Sequence, residues 1–526
     1  MLKIYNTLSK KKEEFNPLNP PEVTFYQCGP TVYWVQHLGN MRAMVLADLI
    51  RRSLAYLDYE VKFARNYTDV GHLVSDEDEG EDKISKASKR LYLKCKNCNK
   101  LSPLDVATDE KSLSDSFSKS SPGFTLVCSF CGQENKYNNE NIILKEIVKL
   151  TPQEVAQKYI AQFDADITAL NCLPADYRPK ATDYIESMKA MVQGLLDKDF
   201  AYATELAIYF DVSKFKDYTK LSGRKLEQDQ SQAGKGEVSD PKKKQPADFA
   251  VWFFKAGTHA NALQTWPYDF KLSDGGEIKG EGFPGWHLEC SAMNFELFGP
   301  TIDLHMGGIE HVSVHHTNEI AQSESFTGKP FVKYWLHNEH LTVNGGKMSK
   351  SEGTSYTLED IIEKGYDPLV LRYFFLGAHY RSKQNFTWEA LDGAKSALGK
   401  LKKSLLSFSN KSGVVDENFK EKFISALEDD FNLPQALAII FEVLKADLTE
   451  EVKYSTIIDF DQVLGLNLTQ LETEEIPEKI KTLAEARWQA RVEKNWNEAD
   501  KLRDELIQLG WEMEDGKDDY QLKKIS

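Results

Sequence analysis

Along the N-terminal part of the chain the apolar positions change period twice. Val23 to Gln27 reads as a short strand, Met41 to Leu57 is apolar around most of a helix, and Glu60 to Ala64 returns to a strand-like run. Between the first strand and the helix lie Cys28-Gly29-Pro30 and His37-Leu38-Gly39-Asn40. Strand, glycine-bearing turn, helix, strand is the opening of a doubly wound α/β domain. Such sheets bind ligands at the carboxyl ends of their strands, so chemistry is expected near Cys28 and His37.

From Leu91 to Leu150 the pattern breaks into Cys95-Lys96-Asn97-Cys98, a Ser-rich middle and Cys128-Ser129-Phe130-Cys131, which reads as an insertion. Helical segments are expected from Thr151 to Leu170 and from Ala181 to Asp197, then a mixed region to Phe270 with a polar, loop-like portion from Lys220 to Lys244. Strand-like alternation returns at Thr301 to Met306, ends in Gly307-Gly308 and passes into a helix carrying His315 and Glu319, the second half of the α/β domain. Beyond Asp360 the chain turns helical. A bundle is expected from Trp388 to Leu466, and one long charged helix from Ile476 to Leu509, stopped by Gly510.

A chain of 526 residues is too long for one core, and 41% hydrophobic with 28% charged residues describes several soluble domains. Met1 to Phe15 lacks the apolar run of a secretory signal, and no segment approaches the roughly 20 apolar residues that span a bilayer. A cytoplasmic protein without membrane contact is expected. The formal charge of -16 confines any nucleic-acid contact to one local basic face. Seven cysteines, an odd number with two C-x-x-C pairs, point to metal sites over disulfides.

His37-Leu38-Gly39-Asn40 sits where strand turns into helix, so backbone N–H groups and the helix dipole face an anion there while His37 donates to phosphate. An ordinary helix cap would use the same residues. Lys347-Met348-Ser349-Lys350-Ser351 follows Gly345-Gly346 and places two ammonium groups on a glycine-hinged loop. That suits a triphosphate whose leaving pyrophosphate gains charge, although a solvated loop has the same composition. Together and in this order, the two motifs resemble the signature pair of class I aminoacyl-tRNA synthetases. The resemblance implies catalytic roles for His37, Asn40, Lys347 and Lys350. It also implies ATP, with Mg2+, bound by these residues and by Gly39, Gly307, Gly308, Met348, Ser349 and Ser351. Asn40 stands where the family has a second histidine.

Three longer stretches narrow the likeness. Cys28-Gly29-Pro30-Thr31-Val32-Tyr33, Gly285-Trp286-His287-Leu288-Glu289-Cys290-Ser291-Ala292-Met293 and His315-His316-Thr317-Asn318-Glu319-Ile320-Ala321-Gln322-Ser323 resemble the cysteinyl-tRNA synthetases. The likeness extends to Asn66-Tyr67-Thr68-Asp69 and His379-Tyr380-Arg381 and covers nearly the whole chain except the insert. It implies a zinc ion held by Cys28, Cys290, His315 and Glu319, a set that spacing alone would not assemble. His315 and Glu319, four apart, share a helix face. A metal answers a selection problem, because size alone separates near-isosteres such as cysteine and serine by only about ten to a few hundred fold. Zinc binds the thiol as thiolate, whereas an alcohol remains protonated. Four protein ligands exceed the usual three of a catalytic zinc, so either the ion becomes five-coordinate or Glu319 lets go. Thr31, Trp286 and Glu310 are implied as substrate contacts, Glu310 replacing the family's Asp.

Cys95, Cys98, Cys128 and Cys131 make a zinc-ribbon pattern whose four thiolates close the coordination shell, so a second, structural zinc is expected. The insert is either a tRNA-contacting knob or a self-stabilised decoration. Near the C-terminus Arg487, Arg491, Trp496 and Asp500 place cations and an indole along one helix, which suits unpaired bases but equally an indole packed on the bundle. The resemblance tips this segment towards the anticodon of tRNA(Cys).

The resulting division is a Rossmann first half at 1–90, the insert at 91–150, the first half continued at 151–198 and a connective peptide at 199–270. A Rossmann second half follows at 271–340, a stem-contact region bearing the lysine loop at 341–395, a helical bundle at 396–470 and a small anticodon-binding domain at 471–526. The expected activity is ligation of cysteine to tRNA by a monomer. Three other readings stay open: a ligase that joins activated cysteine to an amino-sugar, which lacks the anticodon helix; a methionyl-tRNA synthetase, which the Cys28, Cys290, His315 and Glu319 set fits poorly; and a non-catalytic tRNA-binding paralogue, which intact His37 and Lys347 to Ser351 argue against.

Overall fold

The computed structural model describes residues 1–71, 87–88, 150–223, 240–348, 353–409, 411–469, 477–516 and 520–524, with the backbone of five short strands between 91 and 149. The four insert cysteines Cys95, Cys98, Cys128 and Cys131 lie outside the described residues, as do Ser349, Lys350 and Ser351.

Four parallel strands carry the site, in the order Val332–Asn338, Ile302–Gly308, Glu22–Gln27, Glu60–Arg65. All seven residues of Ile302–Gly308 are buried, as a central parallel strand covered on both faces requires. From Glu22–Gln27 the chain runs through the helix Leu38–Tyr56 to one edge, and from Ile302–Gly308 through the helix His315–Thr327 to the other. The winding therefore reverses between the two central strands, and a crevice opens beyond their carboxyl ends. Cys28 begins at that point, its N–H donating to Met306 O at 3.1 Å. Gly29 has to be glycine, because a Cβ there would lie 1.7 Å from Asn66 O.

The expected helices are present as Pro152–Ala169, opened by a Thr151–Glu154 capping box, and Ile185–Asp197, entered through a 3-10 turn at Ala181–Tyr184. The connective region is an antiparallel sheet ordered Ala201–Ala203, Ala207–Phe210, Phe249–Phe254, Glu277–Pro284, Trp266–Lys271. The strand Glu277–Pro284 carries this sheet past residue 270 and leads directly into the helix Trp286–Phe298. At the junction a Cβ on Gly285 would lie 2.0 Å from Ala250 O.

Helices Trp388–Ser407, Glu417–Glu428, Leu433–Lys445 and Glu450–Leu464 form the bundle, which shares one apolar core with the nucleotide domain. Phe423 stacks on Phe460 at 4.1 Å and meets Tyr56 edge-on. Fully buried Arg372 ties the units together, donating to Leu464 O (2.7 Å), Leu170 O (2.9 Å) and Asp48 (2.7 Å).

The single C-terminal helix expected from Ile476 to Leu509 is two helices, Glu478–Val492 and Trp496–Gln508. Lys494 turns the chain with a φ of 59°, and the Asn495 side chain caps the second helix. Both pack with the hairpin Trp511–Asp515 and Tyr520–Lys524 on a small core of Ile480, Ala484, Leu506, Trp511 and Met513. No helix among the described residues is long and apolar enough to cross a membrane.

Candidate active site

Three separate segments converge at the crevice. Cys28 comes from the end of the strand Glu22–Gln27, Cys290 from the first turns of the helix Trp286–Phe298, and His315 with Glu319 from the helix His315–Thr327. All four side chains are buried, and their ligand atoms lie within 4.8 Å of one another. Cys28 Sγ is 4.0 Å from Cys290 Sγ, close to the roughly 3.8 Å separating two sulfurs that each sit about 2.3 Å from one tetrahedral zinc. His315 Nε2 lies 2.8 Å from Glu319 Oε1. Two soft sulfurs, an imidazole and a carboxylate fit zinc among the common cations.

A second grouping, Cys28 with His305, His316 and Glu319, meets the same distance test. The two sets share Cys28 and Glu319, so they compete for one ion. Cys28, Cys290 and His315 line the cavity in front of the crevice whereas His305 and His316 do not, so three residues of the first set face the cavity and only Cys28 of the second. The rear histidines contact the first set from behind, His316 Nε2 lying 3.4 Å from Cys28 Sγ. His305 Nε2 holds Glu319 Oε2 at 2.8 Å, and His316 Nδ1 pairs with His337 Nε2 at 2.7 Å, whose Nδ1 meets Thr7 Oγ1 at 2.8 Å.

Burial, with Cys290 and Glu319 beside it, pushes the Cys28 thiol well above its usual range. Cys290, accepting from Cys28, is drawn down to about 7. Burial would lift the Glu319 carboxyl, but His305 and His315 hold it down at about 2. His315 is buried too, yet Glu319 and Cys290 raise it to about 10.

The cavity has a volume of about 1300 Å³ and runs from this cluster to the head of the helix Leu38–Tyr56. Its wall includes Thr31, Trp286, Gly307, Gly308 and Glu310 together with His37, Gly39, Asn40, Lys347 and Met348. Trp286 stacks on the His315 ring at 4.4 Å. Glu310 folds over Gly308 and lies 3.7 Å from His340 at the exposed rim. His37 is the cap of the helix: its Nδ1 accepts from Gly39 N (3.1 Å) and Asn40 N (3.3 Å). Of the two readings of this tetrapeptide, cap and phosphate ligand, the structure permits both at once, because an accepting Nδ1 leaves the proton of a neutral ring on Nε2.

Comparison with known proteins gives the family. A family model described as "tRNA synthetases class I (C) catalytic domain" matches residues 14–396, and a DALR domain matches 422–446. Cysteine--tRNA ligase 1 of Burkholderia lata is 35% identical over 517 residues, covering 98% of this chain and 95% of the relative. Cysteine--tRNA ligase of a Geobacillus species is 35% identical over 527 residues, covering 96% and 95%. The chain belongs to the cysteine--tRNA ligases of class I. Among solved structures, methionyl-tRNA synthetase of Mycobacterium tuberculosis bound by methionyl-adenylate is similar over 86% of this chain and 92% of that chain, at TM-score 0.49 and 12% identity, too remote to inform the site.

For this ligase the C-terminal residues singled out in the sequence divide in two. Arg487 is buried and grips Asp515 with both terminal nitrogens, at 2.6 and 3.0 Å, and Arg491 pairs with the same carboxylate. They hold the final hairpin in place. Trp496 instead is 57% exposed at the start of the last helix, and Asp500, one turn on, pairs with Arg503 at 3.1 Å. Sequence reasoning missed His305, His316 and His337, and it missed Lys383 on the cavity wall. The histidines sit in runs buried on every side, where a core reading is the natural one.

Proposed function

We propose that the protein activates cysteine with ATP and transfers it to the 3′-terminal adenosine of tRNA(Cys), selecting the amino acid by its sulfur. The observation that carries this is the convergence of Cys28, Cys290, His315 and Glu319 at the crevice of a nucleotide-type sheet, facing the cavity that also holds His37 and Lys347. Cys28, Cys290 and His315 would hold zinc from the protein side, with Glu319 behind them. When bound, zinc supplies an affinity for thiolate that a protonated alcohol does not match. His305 keeps Glu319 oriented whether or not that carboxylate remains a ligand. Trp286 fixes the plane of His315 and bounds the space beside the sulfur. At the far end His37 offers its Nε2 proton, and Lys347 its ammonium, to the triphosphate as the cysteine carboxylate attacks the α-phosphorus and pyrophosphate leaves. The same reading places a structural zinc at Cys95, Cys98, Cys128 and Cys131, Mg2+ on the ATP, and a monomer working in the cytoplasm.

ATP–pyrophosphate exchange with each of the twenty amino acids tests it. Cysteine alone supports strong exchange, and a zinc chelator removes that activity. Equal exchange with serine, or indifference to the chelator, sinks the selection mechanism.

The protonation of the cluster sets a pH dependence. Cys28, raised by burial, and His315, at about 10, both carry protons at neutral pH and must lose them to bind a metal. Apparent zinc affinity therefore rises with pH, on the order of a hundredfold per unit above pH 7 and more steeply below it, where Cys290, at about 7, also carries a proton. Competition against a chelator at three pH values measures it, and a flat profile contradicts the ligand set.

At the other end of the molecule, Trp496→Ala should raise the KM for tRNA about tenfold or more if a base stacks on the indole, with exchange unchanged. Equal losses in charging and exchange would assign Trp496 to folding instead.

A further inference from the structure

The loop between the helix Pro368–Leu376 and the strand Gln384–Phe386 is clamped from two sides. From the bundle, fully buried Asp430 accepts the Tyr380 hydroxyl (2.7 Å) and Arg381 Nε (2.8 Å), and its carbonyl meets His379 Nε2 at 2.9 Å. From the nucleotide side, fully buried Arg42 donates to His379 O (3.3 Å), Ser382 O (2.9 Å) and Gln384 Oε1 (3.1 Å). Arg42 belongs to the helix that His37 caps. A buried guanidinium and a buried carboxylate are tolerated only when their bonds are made, so the loop has one position.

Lys383 stands between two residues that turn towards Arg42, Ser382 through its carbonyl and Gln384 through its buried side chain. Lys383 is exposed and lines the cavity shared with His37, Asn40 and Lys347. It makes no ion pair among the described residues. The acidic residues on the same cavity wall are already engaged: Glu310 with His340, Glu339 with the His340 N–H, and Asp360 with Thr357 at a helix cap. A cation on a clamped loop, without a protein anion among the described residues and in a cavity built for polyphosphate chemistry, has a phosphate as its natural partner.

We infer that Lys383 is a phosphate-binding residue of the active site, contacting either the triphosphate of ATP or a backbone phosphate at the acceptor end of tRNA. This rests on the ligase reading and adds to it a cation that the signature motifs do not include.

Lys383→Ala and Lys383→Arg, assayed by exchange and by charging of a tRNA(Cys) transcript at several salt concentrations, decide the matter. If the nucleotide is the partner, Lys383→Ala raises the KM for ATP about tenfold in exchange, leaves the KM for cysteine unchanged, and Lys383→Arg restores it. If the RNA is the partner, exchange is untouched, the KM for tRNA rises, and the slope of log affinity against log salt falls by about one. Unchanged KM values for both ATP and tRNA overturn the inference, as does a lower kcat accompanied only by a lower melting temperature. Wild-type protein without cysteine-dependent exchange would instead sink the ligase reading itself.

Discussion

Cys290→Ser abolishes cysteine-dependent pyrophosphate exchange at ordinary zinc concentrations and leaves the protein folded. Removing an outer partner of a metal ligand costs about 10- to 100-fold in affinity or activity, so replacing a first ligand should cost on the order of a thousandfold. Serine fits sterically, since the position is nearly sealed and the change replaces one atom. What it removes is the sulfur that is closest to a thiolate before any metal arrives, drawn down to about 7 beside Cys28. A hydroxyl there stays protonated and leaves Cys28, His315 and Glu319 as an incomplete, harder set. The measurement pairs exchange kinetics with bound-zinc content and a melting curve. Near-normal exchange with an unchanged melting temperature would show that Cys290 does not serve the metal, and the selection mechanism would fail with it.

The parts of this site that the sequence made legible are those carried by local pattern. The switch from strand to helix period around Cys28 and His37 placed the nucleotide half, and the boundaries moved by only a few residues, to Glu22–Gln27 and Leu38–Tyr56. The metal set was a different matter. Its donors come from three segments that only the sheet order brings together, so no spacing rule connects Cys28 to Cys290, and the long motifs had to stand in for geometry. His305 and His337 lie on strands buried along nearly their whole length, where a histidine is indistinguishable from packing until its partners are known. At the C-terminus the break near Lys494 escaped notice because it uses neither glycine nor proline but a lysine in the left-handed region, a rare conformation for such a side chain. The same limit applies to Arg487. Its fork matches a carboxylate as well as a phosphate or base, and the carboxylate that claims it, Asp515, lies on a hairpin strand after the next helix.

Lys347→Ala lowers kcat for exchange by about a hundredfold or more while changing the KM for ATP much less. The reasoning starts from the charge available in the nucleotide end of the cavity. Asn40 is neutral, and His37, accepting two backbone N–H groups on Nδ1, is held as a neutral donor. Among the described residues on the cavity wall that leaves Lys347 and Lys383 as the permanent cations. Lys383 sits on a loop clamped by Arg42 and Asp430, which fixes where its backbone meets the cavity. Lys347 follows a tight turn in which Gly345, at a φ of 80°, donates its N–H to Asn385 Oδ1 and Gly346 exchanges backbone hydrogen bonds with Val343. A cation aimed at the charge that develops on the phosphates makes an interaction realised in the transition state, and such an interaction appears in kcat and not in KM. Removing one preorganised donor of this kind costs about 100- to 1000-fold. The opposite pattern, a raised KM for ATP with kcat intact, would make Lys347 a ground-state anchor and leave the transition-state charge to another group.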